Sequence, residues 1–141
     1  MIKSFRGRID ADTSTRIKLS TNNGLVGYRI KAIHVIGQQP SALDQESTFK
    51  IFTVPDKAVT STIDFGDPTM LAVIFYETDD TATLSDNQNI IFDNVIFNQD
   101  IHLTMKGTAS TSLNYHIELE QIKLDVNSAT VATLKDMRGR E

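Results

Sequence analysis

Apolar residues recur along the chain at alternate positions, in short runs separated by polar turn residues, the signature of pleated strands rather than helices. Ile2–Ile9 opens the series with Phe5 and Ile9 on one face. Thr15–Thr21 and Leu25–Ile36 flank Asn22-Asn23-Gly24, residue types that tolerate positive φ, so a hairpin is expected there. Thr48–Val54 alternates until Pro55 stops it, and Thr62–Phe65 reads as a short strand ending at Gly66-Asp67-Pro68. Met70–Tyr76 is apolar at every position, which requires cover on both faces and makes it the expected central strand. Asn89–Phe92 and Ile101–Lys106 follow, the latter setting Ile101, Leu103 and Met105 against His102, Thr104 and Lys106. In Leu113–Leu124 the apolar phase flips at Glu120-Gln121, and a β-bulge there would repair it. Ala129–Leu134 is read as the last strand and Lys135–Glu141 as a charged tail, with Gly37–Glu46 and Glu77–Asn89 as polar loops.

Composition points the same way. The chain has 15 Ile, 16 Thr and 8 Val among 141 residues, and branching at Cβ suits a pleated surface better than a helix. The expected fold is all-β: a single antiparallel β-sandwich, jelly-roll-like, spanning residues 1–141 with a basic N-terminal strand and a short charged C-terminal tail. This length can bury a core without staples. Cysteine is absent, which removes disulfides, thiolate metal sites and thiol nucleophiles. Met1–Asp10 lacks the apolar region of a secretory leader, and no apolar run approaches the length of a membrane-spanning helix.

Charge is unevenly spread. Residues 1–39 carry a net of +5, residues 40–100 a net of −9, and residues 101–141 balance. Complementary surfaces within the fold, a contact with a neighbouring subunit and a nucleic-acid arm could each produce this. Lys3, Arg6 and Arg8 form the basic strand, with Arg6 and Arg8 on one face by period two. Phosphate-backbone binding would want stacking aromatics beside them, and only Phe5 is near. Nucleic acid is therefore the least favoured partner.

Candidate chemistry is sparse. The chain has no phosphate loop, dinucleotide fingerprint, nucleophile elbow or H-E-x-x-H motif. His34, His102 and His116 stand alone with no His-x-His pair, and His34 shares a face with Tyr28, Ile30 and Ile36 in regular alternation. Glu77, Asp79, Asp80, Asp86 and Asn87 could offer oxygen ligands to Ca²⁺, without EF-hand spacing. The expectation is a protein that is not an enzyme, with no catalytic residues, metal or cofactor and no small-molecule substrate.

The phrases IFDNVIFNQDIHLTM (Ile91–Met105) and LNYHIELEQIKLDVNSATVATLKDMR (Leu113–Arg138) carry a resemblance. They are similar to small virion structural proteins of marine tailed bacteriophages, in which a D-N-x-x-x-N-x-D-I run precedes an N-Y-x-I-E-L-E strand and a closing A-T-L-K-D stretch. The resemblance covers about a third of the chain. It implies a capsid cement or decoration protein on the outer capsid surface of a virion, partnered by the major capsid protein and neighbouring copies of itself. A receptor- or glycan-binding tail module is the alternative. The expected assembly contacts lie in the terminal segments, at Lys3, Arg6, Arg8, Lys135, Arg138 and Arg140, because unsupported termini fray unless a neighbour ties them down.

Overall fold

The computed structural model describes residues 1–39, 45–78, 86–92, 95–108 and 111–137. The strands, in chain order, are β1 (Ile2–Asp10), β2 (Thr13–Ile17), β3 (Val26–Gly37), β4 (Gln45–Phe52), β5 (Met70–Thr78), β6 (Asp86–Ile91), β7 (Ile101–Gly107) and β8 (Ser112–Lys123), and a helix, α1 (Val126–Met137), follows them. One sheet has the order β1-β8-β3 and the other β2-β7-β4-β5-β6. Every pairing is antiparallel. The pairs β1·β8, β2·β7 and β4·β5 nest around the middle of the chain, as in a jelly roll. The fourth nested pair, β3 with β6, is not made. β6 instead extends the larger sheet beyond β5, and the Asn89 side-chain amide reaches the Ile33 carbonyl at 3.4 Å. The fold is thus an all-β, jelly-roll-like sandwich, as the alternation predicts.

The core lies between the sheets. Phe49, Ile51, Ile101, Leu103 and Met105 meet Ile33, Leu113, Ile117 and Leu119, all essentially free of solvent contact. These are the alternate positions of β4, β7, β3 and β8, so period two places them inside. β5 is covered on both faces, as its continuous apolar run requires. Ala72, Ile74 and Tyr76 enter the main core, while Met70 and Val73 pack with Phe52 under a second cover that includes Phe92. β5 is an interior strand, paired to β4 on one side and β6 on the other, as expected, with β4 at the midpoint of the five-stranded sheet.

Several expectations change. Gly24 does sit in the left-handed region (φ 66°) at a turn, but β2 and β3 leave it for different sheets, so no hairpin forms. Residues 62–65 are not a strand. The buried ammonium of Lys50 donates to the Thr62 carbonyl at 2.6 Å, and the segment lies over the outer face of β4 instead of entering a ladder. The bulge is on β3, not at Glu120-Gln121. Register slips between Ile30 and Ala32, opposite Leu119 and Glu118, with Lys31 as the extra residue. β8 meanwhile pairs with β1 without interruption from Ser112 to Glu120. Tyr28 and Ile30 therefore face the core on one side of the bulge, and Ile33 and Val35 on the other. His34 and Ile36 are turned outward, away from Tyr28 and Ile30, and are exposed. The flip in β8 has another cause: Ile122 and Leu124 point to the outer face because α1 covers them.

The segment expected as a last strand, 129–134, is the middle of α1. Asp125 caps it, its carboxylate accepting the Ser128 N–H at 2.7 Å. That bond holds the Asp125 carboxyl below its ordinary range. Ala129 and Ala132 face the sandwich, and Thr130 and Thr133 satisfy their hydroxyls on the carbonyls four residues back. Lys135 stands in the last turn, favourable to the helix dipole.

Candidate interaction surfaces

The outer face of the three-stranded sheet is read directly from its register. Arg6 pairs across to His116, and His116 to His34, so one rung carries three nitrogen-bearing side chains abreast. The next rung is Arg8, Asn114 and Ile36. Adjacent strands lie about 4.8 Å apart and successive rungs about 7 Å. The His34 and His116 rings are tilted at 32° with centroids 6.2 Å apart. These six residues line an open groove. Carboxylates bracket it. At one end Asp10 meets Arg8 at 3.5 Å and accepts the Ser112 hydroxyl at 2.8 Å. At the other, Glu118 occupies the rung of Ser4 and Ala32. One rung further, Glu120 is neutralised by Arg29 at 2.6 Å and Lys31 at 3.4 Å, and the Arg29 hydrogen bond holds its carboxyl below the ordinary range.

A second surface lies on α1. Its inner face is fixed by a buried polar cluster. The Asn98 amide donates to the carbonyls of Gly24 (3.0 Å) and Ala129 (3.2 Å) and to the Thr133 hydroxyl (2.7 Å). The Asp136 carboxylate accepts the backbone N–H of Asn98 at 2.8 Å and of Gln99 at 3.3 Å. Its solvent side carries Val131 and Leu134, each 65% exposed, with Val126 (70%) and Met137 (46%) on one flank. Beside the small apolar Ala129 and Ala132, the sandwich side of the helix also buries an aspartate, while four larger apolar side chains stand in solvent.

A third cluster surrounds Lys50, only 4% exposed. Its ammonium donates to Thr62 O and to the Thr60 hydroxyl at 3.2 Å, and lies 5.9 Å from the Phe52 ring centre. Burial, with Lys57 nearby, outweighs the attraction of Asp67 and lowers its pKa. Lys57 meets Asp67 at 3.0 Å, and Asp67 also accepts the Thr69 hydroxyl at 2.6 Å. With both threonine partners in place, this lysine ties residues 53–69 to β4.

The expected contact residues are not gathered. Lys3, Arg6 and Arg8 lie on β1, Lys3 on the opposite phase from the two arginines, and Lys135 lies on α1. Arg138 and Arg140 lie outside the described residues. From the Arg6–His116 rung to Ile122, where α1 packs, is about 20 Å along β8. The N-terminal segment does not need a neighbour to hold it. β1 is paired through nine residues to β8, and Met1 O accepts the Gln121 N–H at 2.8 Å. His102 stands on the larger sheet, away from His34 and His116, and among the described residues no group of three or more His, Asp or Glu is placed to hold a metal ion. The proposed Ca²⁺ loop falls largely outside the described residues, and the side chains of Asp86 and Asn87 are among those not described. Sequence reasoning missed the pairing of the two histidines and the apolar face of α1. An i, i+3 count over Val131 and Leu134 held the signal for the latter. No protein-family model, curated protein or solved structure matches this chain.

Proposed function

We propose that this protein is a virion structural component, a capsid cement or decoration protein that docks across neighbouring major capsid subunits through the outer face of α1. The observation that carries the reading is the set of exposed apolar side chains Val131 and Leu134, flanked by Val126 and Met137, on a helix whose other face is locked to the sandwich. The fold leaves these side chains uncovered, and covering them is what a partner would do. The class of partner is drawn from the resemblance to phage virion proteins, and the resembling segment Leu113–Arg138 contains α1.

Magnitudes favour a repeated contact. Fully burying a Val, Leu or Met side chain is worth roughly 1.5–3 kcal/mol, and the cost of association consumes much of what four such side chains supply. One copy would hold weakly, whereas copies that also contact one another gain by multivalency.

Addition of purified protein to capsids stripped of it, with occupancy read by gel densitometry and cryo-electron microscopy, tests the reading. Leu134→Lys and Val131→Lys should abolish occupancy while leaving the melting temperature within a few degrees of wild type. Full occupancy by the Leu134→Lys/Val131→Lys protein would rule out docking through α1.

A further inference from the structure

We infer that the groove on the outer face of the three-stranded sheet, centred on the Arg6–His116–His34 rung, is a binding site for a compact phosphate or sulfate monoester. This inference concerns a surface separate from α1 and does not depend on the assembly reading. Two guanidinium groups, two imidazoles and the Asn114 amide line one open groove on two adjacent rungs. The rungs measure about 10 Å across the strands and about 7 Å along them, the footprint of one tetrahedral oxyanion with a small substituent. Arginine forks suit such oxyanions because paired N–H groups match two of the oxygens.

The surroundings select against a long polyanion. Asp10 closes one end, one rung beyond Arg8, and Glu118 closes the other, one rung below Arg6. A chain of phosphates or sulfates running along the strands would meet a carboxylate within about 7 Å in either direction. Further on, Glu120 already consumes the positive charge of Arg29 and Lys31. The groove has Arg6 as its main cation, because Arg8 already shares its charge with Asp10 at 3.5 Å, with the imidazoles and the Asn114 amide as further donors. Ile36 supplies its second half. It is 61% exposed beside Asn114, and an apolar substituent on the ester would cover it. That contact favours an ester over the bare inorganic ion.

The histidines provide their own reporters. Imidazole C–H resonances of His34 and His116 should move together when phenyl phosphate is added at about 0.1 M ionic strength, where the Debye length is about 10 Å, while those of His102, on the other sheet, stay still. Inorganic phosphate and sulfate should move the same resonances with weaker affinity, and phenyl sulfate serves to separate the two ester chemistries. Arg6→Gln, an exposed position, should weaken phenyl phosphate binding by about tenfold, as loss of a charge-assisted pair does. His116→Asn should weaken it as well, which covers the case of a badly folded Arg6 variant. Lys123→Gln removes the same charge from the far end of β8 and should change affinity less than about twofold, as expected of a charge beyond a Debye length. Equal weakening by Lys123→Gln would show general electrostatic attraction and overturn the site. Tighter binding of a heparin-like oligosaccharide or an oligonucleotide than of the monoester would overturn its restriction to one group, and so would inorganic phosphate binding as well as phenyl phosphate.

Discussion

Replacing Asn98 by alanine tests whether α1 is a separately docked unit. The Asn98 side chain is fully buried and faces three acceptors, Gly24 O, Ala129 O and Thr133 Oγ1. An amide NH₂ has two hydrogens, so two of the three are served at once. The substitution removes two hydrogen bonds worth about 1 kcal/mol each. It also leaves at least one buried carbonyl without that donor, at about 1–3 kcal/mol. The expected loss is therefore on the order of 3–5 kcal/mol for the attachment of α1, centred on about a thousandfold in an opening equilibrium. Native-state amide exchange resolves where that loss falls. Amides of α1 should exchange several hundredfold to a thousandfold faster in Asn98→Ala, while amides of β4, β5 and β7 keep most of their protection. Uniform acceleration across both sheets would show that α1 and the sandwich open as one unit. Unchanged exchange in α1 would show that Leu124, Ala129 and Ala132 alone hold the helix, and either result refutes the reasoning.

Three further outcomes follow from the geometry. Deletion of Lys31 removes the extra residue of the β3 bulge and leaves Tyr28, Ile30, Ile33 and Val35 in unbroken alternation opposite Gln121, Leu119, Ile117 and Tyr115, so all four stay in the core and the protein should keep cooperative urea unfolding; loss of cooperative unfolding would contradict the register. Burial alone would raise the Asp100 pKa, but the backbone N–H groups of Ser20 and Leu19, with Arg16 nearby, outweigh it and the carboxyl is held below its ordinary range. Asp100 therefore contributes stability that is complete above the ordinary carboxylate range and lost as pH falls through and below it, and Asp100→Asn should flatten that part of the acid limb in urea midpoints measured against pH. Gly24→Ala forces a Cβ into the left-handed region and within 3.1 Å of the Asn98 amide, and should cost at least about 1 kcal/mol by chemical denaturation.

The sequence by itself determined the fold class and most of the core. Alternation is a local property of pleated backbone, so Phe49, Ile51, Ile101, Leu103 and Met105 were legible as interior positions from their spacing alone. The continuous apolar run in β5 likewise announced cover on two faces. Tertiary structure decided the rest. Val126, Thr130, Val131 and Thr133 favour strand locally, yet the segment is helical because Asp125 caps it and Asn98 and Asp136 anchor it. The bulge at Lys31 left an ambiguous pattern in β3, since Ile30, Ile33 and Ile36 fit either phase until β8 fixes the register. The candidate sites depend on the same long-range pairing. Arg6, His34 and His116 come from three separate strands and share a rung only because β8 lies between β1 and β3. Spacing along a chain fixes which side of a strand a residue takes, but strand order and register, set by contacts remote in sequence, determine which residues meet.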